Sequence, residues 1–217
     1  MEYTNLKIDI YLKNSVAIQK NKSAFDSILA LLYFNEQKNN GVFNGDYTQH
    51  LDFLDFTDGV YHTSYPVLNS LKYYDKEKLI KTFDHELYAK YGEIVAKNGT
   101  PKGRVLNVQG KFKNEFYSIE RFLVDSITYY VRGNKEVIES LLKKLRFIGK
   151  KSSLGWGEVK YISIEEIHND YSIFKDQKLM RNILLKNTFN FNGDKVSLTR
   201  LTHPYWSKEN LCECLVP

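Results

Sequence analysis

Leu6, Ile8, Ile10 and Leu12 alternate with Lys7, Asp9, Tyr11 and Lys13. A period of two predicts a half-buried strand over residues 5–12. The period then lengthens. Phe25, Ile28, Leu29 and Leu32 form one helical stripe, with Ser23 as expected N-cap and Asp26 completing a capping box. Residues 35–58 are polar and glycine-bearing and predict mainly loop. Residues 59–68, GVYHTSYPVL, predict a short strand that Pro66 ends at a sheet edge. Within residues 71–91 a second helix is expected, with Leu79, Ile80, Phe83 and Leu87 on one side. Residues 97–121 mix glycine, lysine, arginine and aromatics and predict a loop or protruding hairpin.

Residues 124–132 predict another strand. Asn134 is placed to cap a helix whose stripe is Val137, Ile138, Leu141, Leu142 and Leu145. Glu136 and Glu139 lie near its start and Lys143, Lys144 and Arg146 near its end, as the helix dipole favours. Gly149 suits its C-terminal cap. Trp156 to Ile164 then predicts a strand, with Val159, Tyr161 and Ile162 contributing to its packing, and Trp156 is expected in the core. Beyond residue 165 the pattern weakens until TFNFNGDKVSLTRL, which predicts a hairpin around Asn192-Gly193. The order is strand, helix, strand, insertion, strand, helix, strand. It predicts an α+β, ferredoxin-like (RRM-like) domain over residues 1–165 with an insertion about 67–121. Residues 166–217 are expected to be a C-terminal β extension packed on the same domain.

Composition changes this picture in three places. Residues 1–100 hold 11 Lys+Arg against 13 Asp+Glu, whereas residues 101–217 hold 20 against 13, and all six arginines lie after position 100. A one-sided basic half fits a nucleic-acid footprint, or simply a solvated surface. The 16 tyrosines and 13 phenylalanines fit stacking platforms, or an AT-biased genome, and the second explanation carries more weight. Two cysteines, no apolar run of spanning length and no signal-like start fit a reducing cytoplasm without membrane attachment.

The densest candidate chemistry is the run from Phe147 to Val159, FIGKKSSLGWGEV. Gly149, Gly155 and Gly157 let backbone amides approach an anion, and Lys150 and Lys151 add charge, with Ser152 and Ser153 between them. The run follows a helix and precedes a strand, the reverse of a nucleotide-binding loop. Neither GxxxxGK[ST] nor GxGxxG occurs. RNA is therefore the leading ligand, and a tight turn with solvated lysines is the alternative.

This placement, IGKKSSLGWGEV between the second helix and the last strand, resembles the RAMP superfamily of CRISPR proteins. SVAIQKNKSAFDSILALL, GVYHTSYPV, DYSIFKDQKLMR and the late HPYW are similar to the small RAMP subunit of type IV CRISPR effector complexes, and together cover nearly the whole chain. The resemblance implies a RAMP fold and a non-enzymatic subunit that grips the 5′ repeat-derived handle of a CRISPR RNA. Such a subunit caps a filament of backbone subunits. Its partners would be the CRISPR RNA, the backbone and large subunits and, indirectly, target nucleic acid. A recruited helicase is compatible with it. In this division of labour base pairing reads the target.

The expected RNA contacts are therefore the loop residues, His62 and a basic set made of Lys102, Arg104, Lys111, Lys113 and Arg121, interleaved with Phe112, Phe116 and Tyr117. Arg181, near Asp170 and Tyr171, is expected to bind RNA, a neighbouring subunit or an internal ion-pair partner. His62, beside Tyr61 and Ser64, is also the candidate base of a metal-independent endoribonuclease. A protein-interaction domain without RNA is a third reading. Cys212, Cys214 and His203 do not form a recognised zinc pattern, so no metal or cofactor is expected.

Overall fold

The computed structural model describes residues 2–19, 24–81, 115–185 and 195–217. They form a mixed α/β structure in which the described strand pairings are antiparallel. The chain divides into two compact units, residues 1–74 with 122–217, and residues 75–121.

The larger unit is built on a four-stranded sheet. Its strands are β1 (Thr4–Leu12), β4 (Val67–Asn69), β7 (Ser126–Gly133) and β8 (Val159–Glu166), in the order β4-β7-β1-β8. Helix α1 (Phe25–Asn39) follows β1, and helix α2 (Lys135–Leu142) joins β7 to β8. The predicted alternation along β1 is realised. Leu6, Ile8, Ile10 and Leu12 are buried, and the residues between them are half-buried. Their face packs with Phe25 and Leu29 of α1, Ile127, Tyr129 and Val131 of β7, and Ile138 and Leu141 of α2. Each such aliphatic side chain contributes roughly 1.5–3 kcal/mol by leaving water. Tyr129 stacks on Phe25 at 4.4 Å, and complete burial pushes its phenol far above the ordinary value.

Both helix starts depart from, or refine, expectation. Asn134 caps α2 as predicted, its Oδ1 accepting from the Val137 amide at 3.0 Å. Ser23 lies outside the described residues, and Ala24 is the cap of α1, without a side-chain cap bond. The Phe25 amide instead donates to the Ser64 carbonyl at 3.1 Å. Asp26 is buried and accepts from Thr63 and Tyr205, so it serves the core and not a capping box. Helix α2 stops at Leu142 with Lys143 as its cap, well before Gly149.

The helix expected over residues 71–91 is contradicted where it is described: Tyr73–Lys81 is strand β5, paired with β6 (Glu115–Leu123). Asp75, Glu77 and Leu79 are half-buried while Lys76, Lys78 and Ile80 are exposed, a period of two. Arg121 on β6 reaches Asp75 at 3.6 Å and Glu77 at 2.8 Å, and cross-strand ion pairing of this kind favours the strand over a weak local helical pattern. Phe83 and Leu87 lie outside the described residues.

Residues 56–61 form a small hairpin, β2 (Phe56–Thr57) with β3 (Val60–Tyr61). Further on, β9 (Phe174–Lys175) pairs with β10 (Lys178–Leu179). The last sheet has the order β11-β13-β12, from β11 (Ile183–Leu184), β12 (Lys195–Arg200) and β13 (Leu211–Val216). Asn192-Gly193 lies outside the described residues, and the described partner of β12 is β13, from Lys195↔Val216 to Arg200↔Leu211. Among the described residues no helix is long and apolar enough to cross a membrane.

Candidate nucleic-acid interface

After α2 the chain runs back along the start of β8. The Ile148 amide donates to the Gly157 carbonyl and the Val159 amide to the Arg146 carbonyl, both at 2.9 Å. Residues 149–156 close this ladder as a tight bend that contains a 3-10 turn, Ser152–Leu154, flanked by left-handed Lys151 and Gly155. The bend is pinned to the continuation of β1. The Lys150 amide donates to the Ala17 carbonyl and the Gly157 amide to Ser15, each at 2.8 Å. Asn14 donates to the Gly155 carbonyl at 2.7 Å and accepts from the Glu158 amide at 3.1 Å.

The glycines have different reasons to be there. A Cβ on Gly149 would lie 2.5 Å from the Ala17 carbonyl oxygen, and one on Gly157 would lie 1.9 Å from that of Ile148. At Gly155 nothing lies within 4 Å, so its demand is conformational only. The amides of Lys150, Leu154, Gly155 and Gly157 all donate inside the protein. Those four amides are therefore not open to an anion, and the residues of the bend that face solvent are Gly149, Lys150, Ser152, Ser153 and Leu154, with Lys151 half-buried. Trp156 is buried at 8% exposure, in the core as anticipated.

His62 follows β3. Its Nδ1 lies 2.5 Å from Asp170 Oδ2, and its Nε2 lies 2.5 Å from Thr57 Oγ1. Burial pushes the Asp170 carboxyl up, but hydrogen bonds from His62 and Ser172 outweigh it and leave the pKa below the ordinary aspartate value. An ionised Asp170 favours the tautomer with its proton on Nδ1 and an accepting Nε2. Arg132 is nearby, its amide donating to the His62 carbonyl and its side chain 3.0 Å from Asp55. The sequence named Asp170 but did not join it to His62, which lies 108 positions away.

Arg181 is a correction. It is 1% exposed, so it is internal and not a surface contact, and its direct hydrogen-bond partners are neutral groups where an ion-pair partner is expected. Its guanidinium donates to the carbonyls of Tyr61, Thr63 and Leu201 and to Thr63 Oγ1. Thr63 in turn donates to Asp26, which also accepts from Tyr205 at 2.9 Å. Burial works against the Arg181 charge, but the fields of Asp26, Tyr205 and Tyr65 hold its pKa above the ordinary arginine value. Arg121, as described, sits between two carboxylates. Lys102, Arg104, Lys111 and Lys113 lie outside the described residues.

Cys212 and Cys214 are free thiols 3.4 Å apart on β13, and burial first, then Cys212, pushes Cys214 up to about 12. Among the described residues no three His, Cys, Asp or Glu side chains gather as a metal site.

One pair escaped the sequence reading. The β1–β8 register sets Tyr11 opposite Tyr161, and their rings stack at 4.1 Å with planes 16° apart. Alternation puts Tyr11 on the polar face of its strand as expected, but Tyr161 is a correction: Val159 and Ile162 pack against the core, whereas Tyr161 is half exposed on the other face. Their pairing required the tertiary register.

Residues 61–217 match the family described as CRISPR type IV associated protein Csf3. No curated protein matches the chain.

Proposed function

This chain belongs to the Csf3 family of CRISPR type IV associated proteins, and from that premise we propose that it is a non-enzymatic, RNA-binding RAMP subunit. It grips the 5′ repeat-derived handle of the CRISPR RNA and caps the backbone filament of the effector complex. The order β4-β7-β1-β8, with α1 and α2 as the two crossover helices, supports a ferredoxin-like RAMP domain. The observation that carries the RNA reading is the bend after α2. It is tied to the continuation of β1, yet it presents Lys150, Ser152 and Ser153 outward, with Leu154 beside them. Such placement of a cation and hydroxyls suits a ribose-phosphate strand, because less ordering entropy remains to be lost on binding. Lys150→Glu combined with Lys151→Glu weakens binding of handle RNA. Two lost phosphate contacts lower the log–log salt slope by about 1.4. Fluorescence anisotropy across a salt series reads both effects. Unchanged affinity and slope reject the loop.

A second reading is favoured by the Thr57–His62–Asp170 alignment. In it, Thr57 turns its hydroxyl away from His62 Nε2, which then takes the proton of a ribose 2′-hydroxyl as the hydroxyl oxygen attacks the adjacent phosphorus. The P–O5′ bond breaks, the departing oxygen takes a proton from solvent, and a 2′,3′-cyclic phosphate remains. Incubating the protein with repeat-containing precursor RNA in a chelator separates the two. Cleavage that His62→Ala abolishes establishes the nuclease, and an intact precursor with the wild-type protein ends this reading.

A further inference from the structure

The exposed ring pair and the basic bend occupy the same end of the same two strands. Tyr161 is 50% exposed, and Tyr11 is half-buried beside it. Both project from the sheet face opposite the helices, since Ile10 and Leu12 on either side of Tyr11 point into the core. The phenol of Tyr161 also raises the pKa of Tyr11, chiefly through its charge. Stacking and the β1–β8 register hold the two rings together.

Four positions separate Tyr161 from Gly157, and four separate Tyr11 from Ser15, where the bend is tied on. At about 3.3 Å per fully extended residue this is at most about 13 Å, and the bulge after Tyr11 shortens it. The distance is fixed because the bend is bonded to Ser15 and Ala17, and Lys13 donates its amide to Glu158. The carboxylates on this side are paired with lysines: Asp9 with Lys7 at 2.9 Å, Glu165 with Lys7 at 3.7 Å, and Glu158 with Lys13 at 2.6 Å. These three carboxylates share two lysines, so the repulsion of a polyanion from this face is reduced to that of about one charge. Elsewhere on the same face Tyr130 is covered, its ring beneath Lys175 and against Tyr171, so it offers no open stacking surface.

We infer that Tyr11 and Tyr161 form a stacking site for a base of single-stranded RNA whose backbone is held at the neighbouring bend. Ring stacking accepts any base, so the site contributes affinity and register without sequence choice. The inference rests on the RNA-binding reading, and the experiment is chosen to separate the two. The full chain is titrated into a short fluorescein-labelled oligouridine, with variants Tyr161→Leu, Tyr161→Phe and Tyr11→Leu checked for folding by circular dichroism. Leucine keeps apolar bulk but removes the π face, and weakens binding about tenfold. Phenylalanine stays within about twofold, because the stacking face remains. The salt slope of every tyrosine variant matches wild type, since no phosphate contact is lost. If both leucine variants fold and bind as wild type while the double lysine variant is weakened, the stacking site is wrong and the RNA reading stands. If neither tyrosine nor lysine variants bind more weakly, both are wrong. A folded Tyr161→Phe as weak as Tyr161→Leu overturns the stacking account, because the hydroxyl and not the ring would then be responsible.

Discussion

Gly155 and Gly157 both have a left-handed backbone, at φ 80° and 71°, but only Gly157 is hemmed in. Alanine at Gly155 meets open space and costs about 1–2 kcal/mol for its conformation alone. Alanine at Gly157 drives a methyl into the Ile148 carbonyl, which cannot move without breaking the ladder to β8. That loss is about 3 kcal/mol or more. Urea denaturation of the two variants checks the order, and equal losses would remove the packing argument. From the sequence the three glycines looked alike, because their spacing in FIGKKSSLGWGEV does not reveal which of them a neighbouring strand approaches. Lys150 and the serines were legible as exposed. The fate of the Lys150 and Gly157 amides was not, since their acceptors on Ala17 and Ser15 lie more than 130 positions earlier.

Among the elements, legibility followed the strength of the local signal. In β1 and α2 the apolar period, the cap and the burial agree. Asn134 caps its helix through a bond three residues away, and such a contact can be read locally. Helix α1 was placed correctly, but its start was misjudged, because the Ser64 carbonyl that accepts its first amide comes from a distant segment. Strand β5 was misread as helix. Leu79 and Ile80 in YYDKEKLIK fit either period, and what decides for the strand is pairing with β6 and Arg121. The stacked pair on β1 and β8 belongs to the same class. Each tyrosine was visible, and only the register brought them together.

At the scale of the whole molecule, buried polar groups join segments remote in sequence. Asp26 of α1, Thr63, Arg181 and Tyr205 form one hydrogen-bonded chain. His203 stacks on Tyr61 beside it, centroids 5.4 Å apart. Burial lowers the His203 pKa below the ordinary 6.5, with Asp26 opposing and His50 adding to the shift. A depressed pKa means the unfolded chain binds the proton first. The contribution of His203 to stability is therefore complete above pH 6.5 and is lost as pH falls through the folded value. The Asp170 carboxyl, held below 3.8, acts only in a lower window. Urea midpoints measured on either side of the histidine value fall with acid in the wild type, and the fall is smaller in His203→Phe, which keeps a ring against Tyr61. Identical pH dependence in the two proteins would exclude His203 as the source.

The amino-acid sequence alone determined the alternation of strands and amphipathic helices, the glycine-rich basic bend after α2, and the segments by which a type IV CRISPR family is identified. These are properties of neighbours a few positions apart, where side-chain period and capping act. Tertiary structure alone decided that Arg181 and Asp26 are interior, that His62 meets Asp170, that the Lys150 and Gly157 amides bond back to the chain after β1, and that Tyr11 faces Tyr161. Each of these depends on which strands lie side by side, and burial of a charged group is tolerable only where partners from other elements surround it.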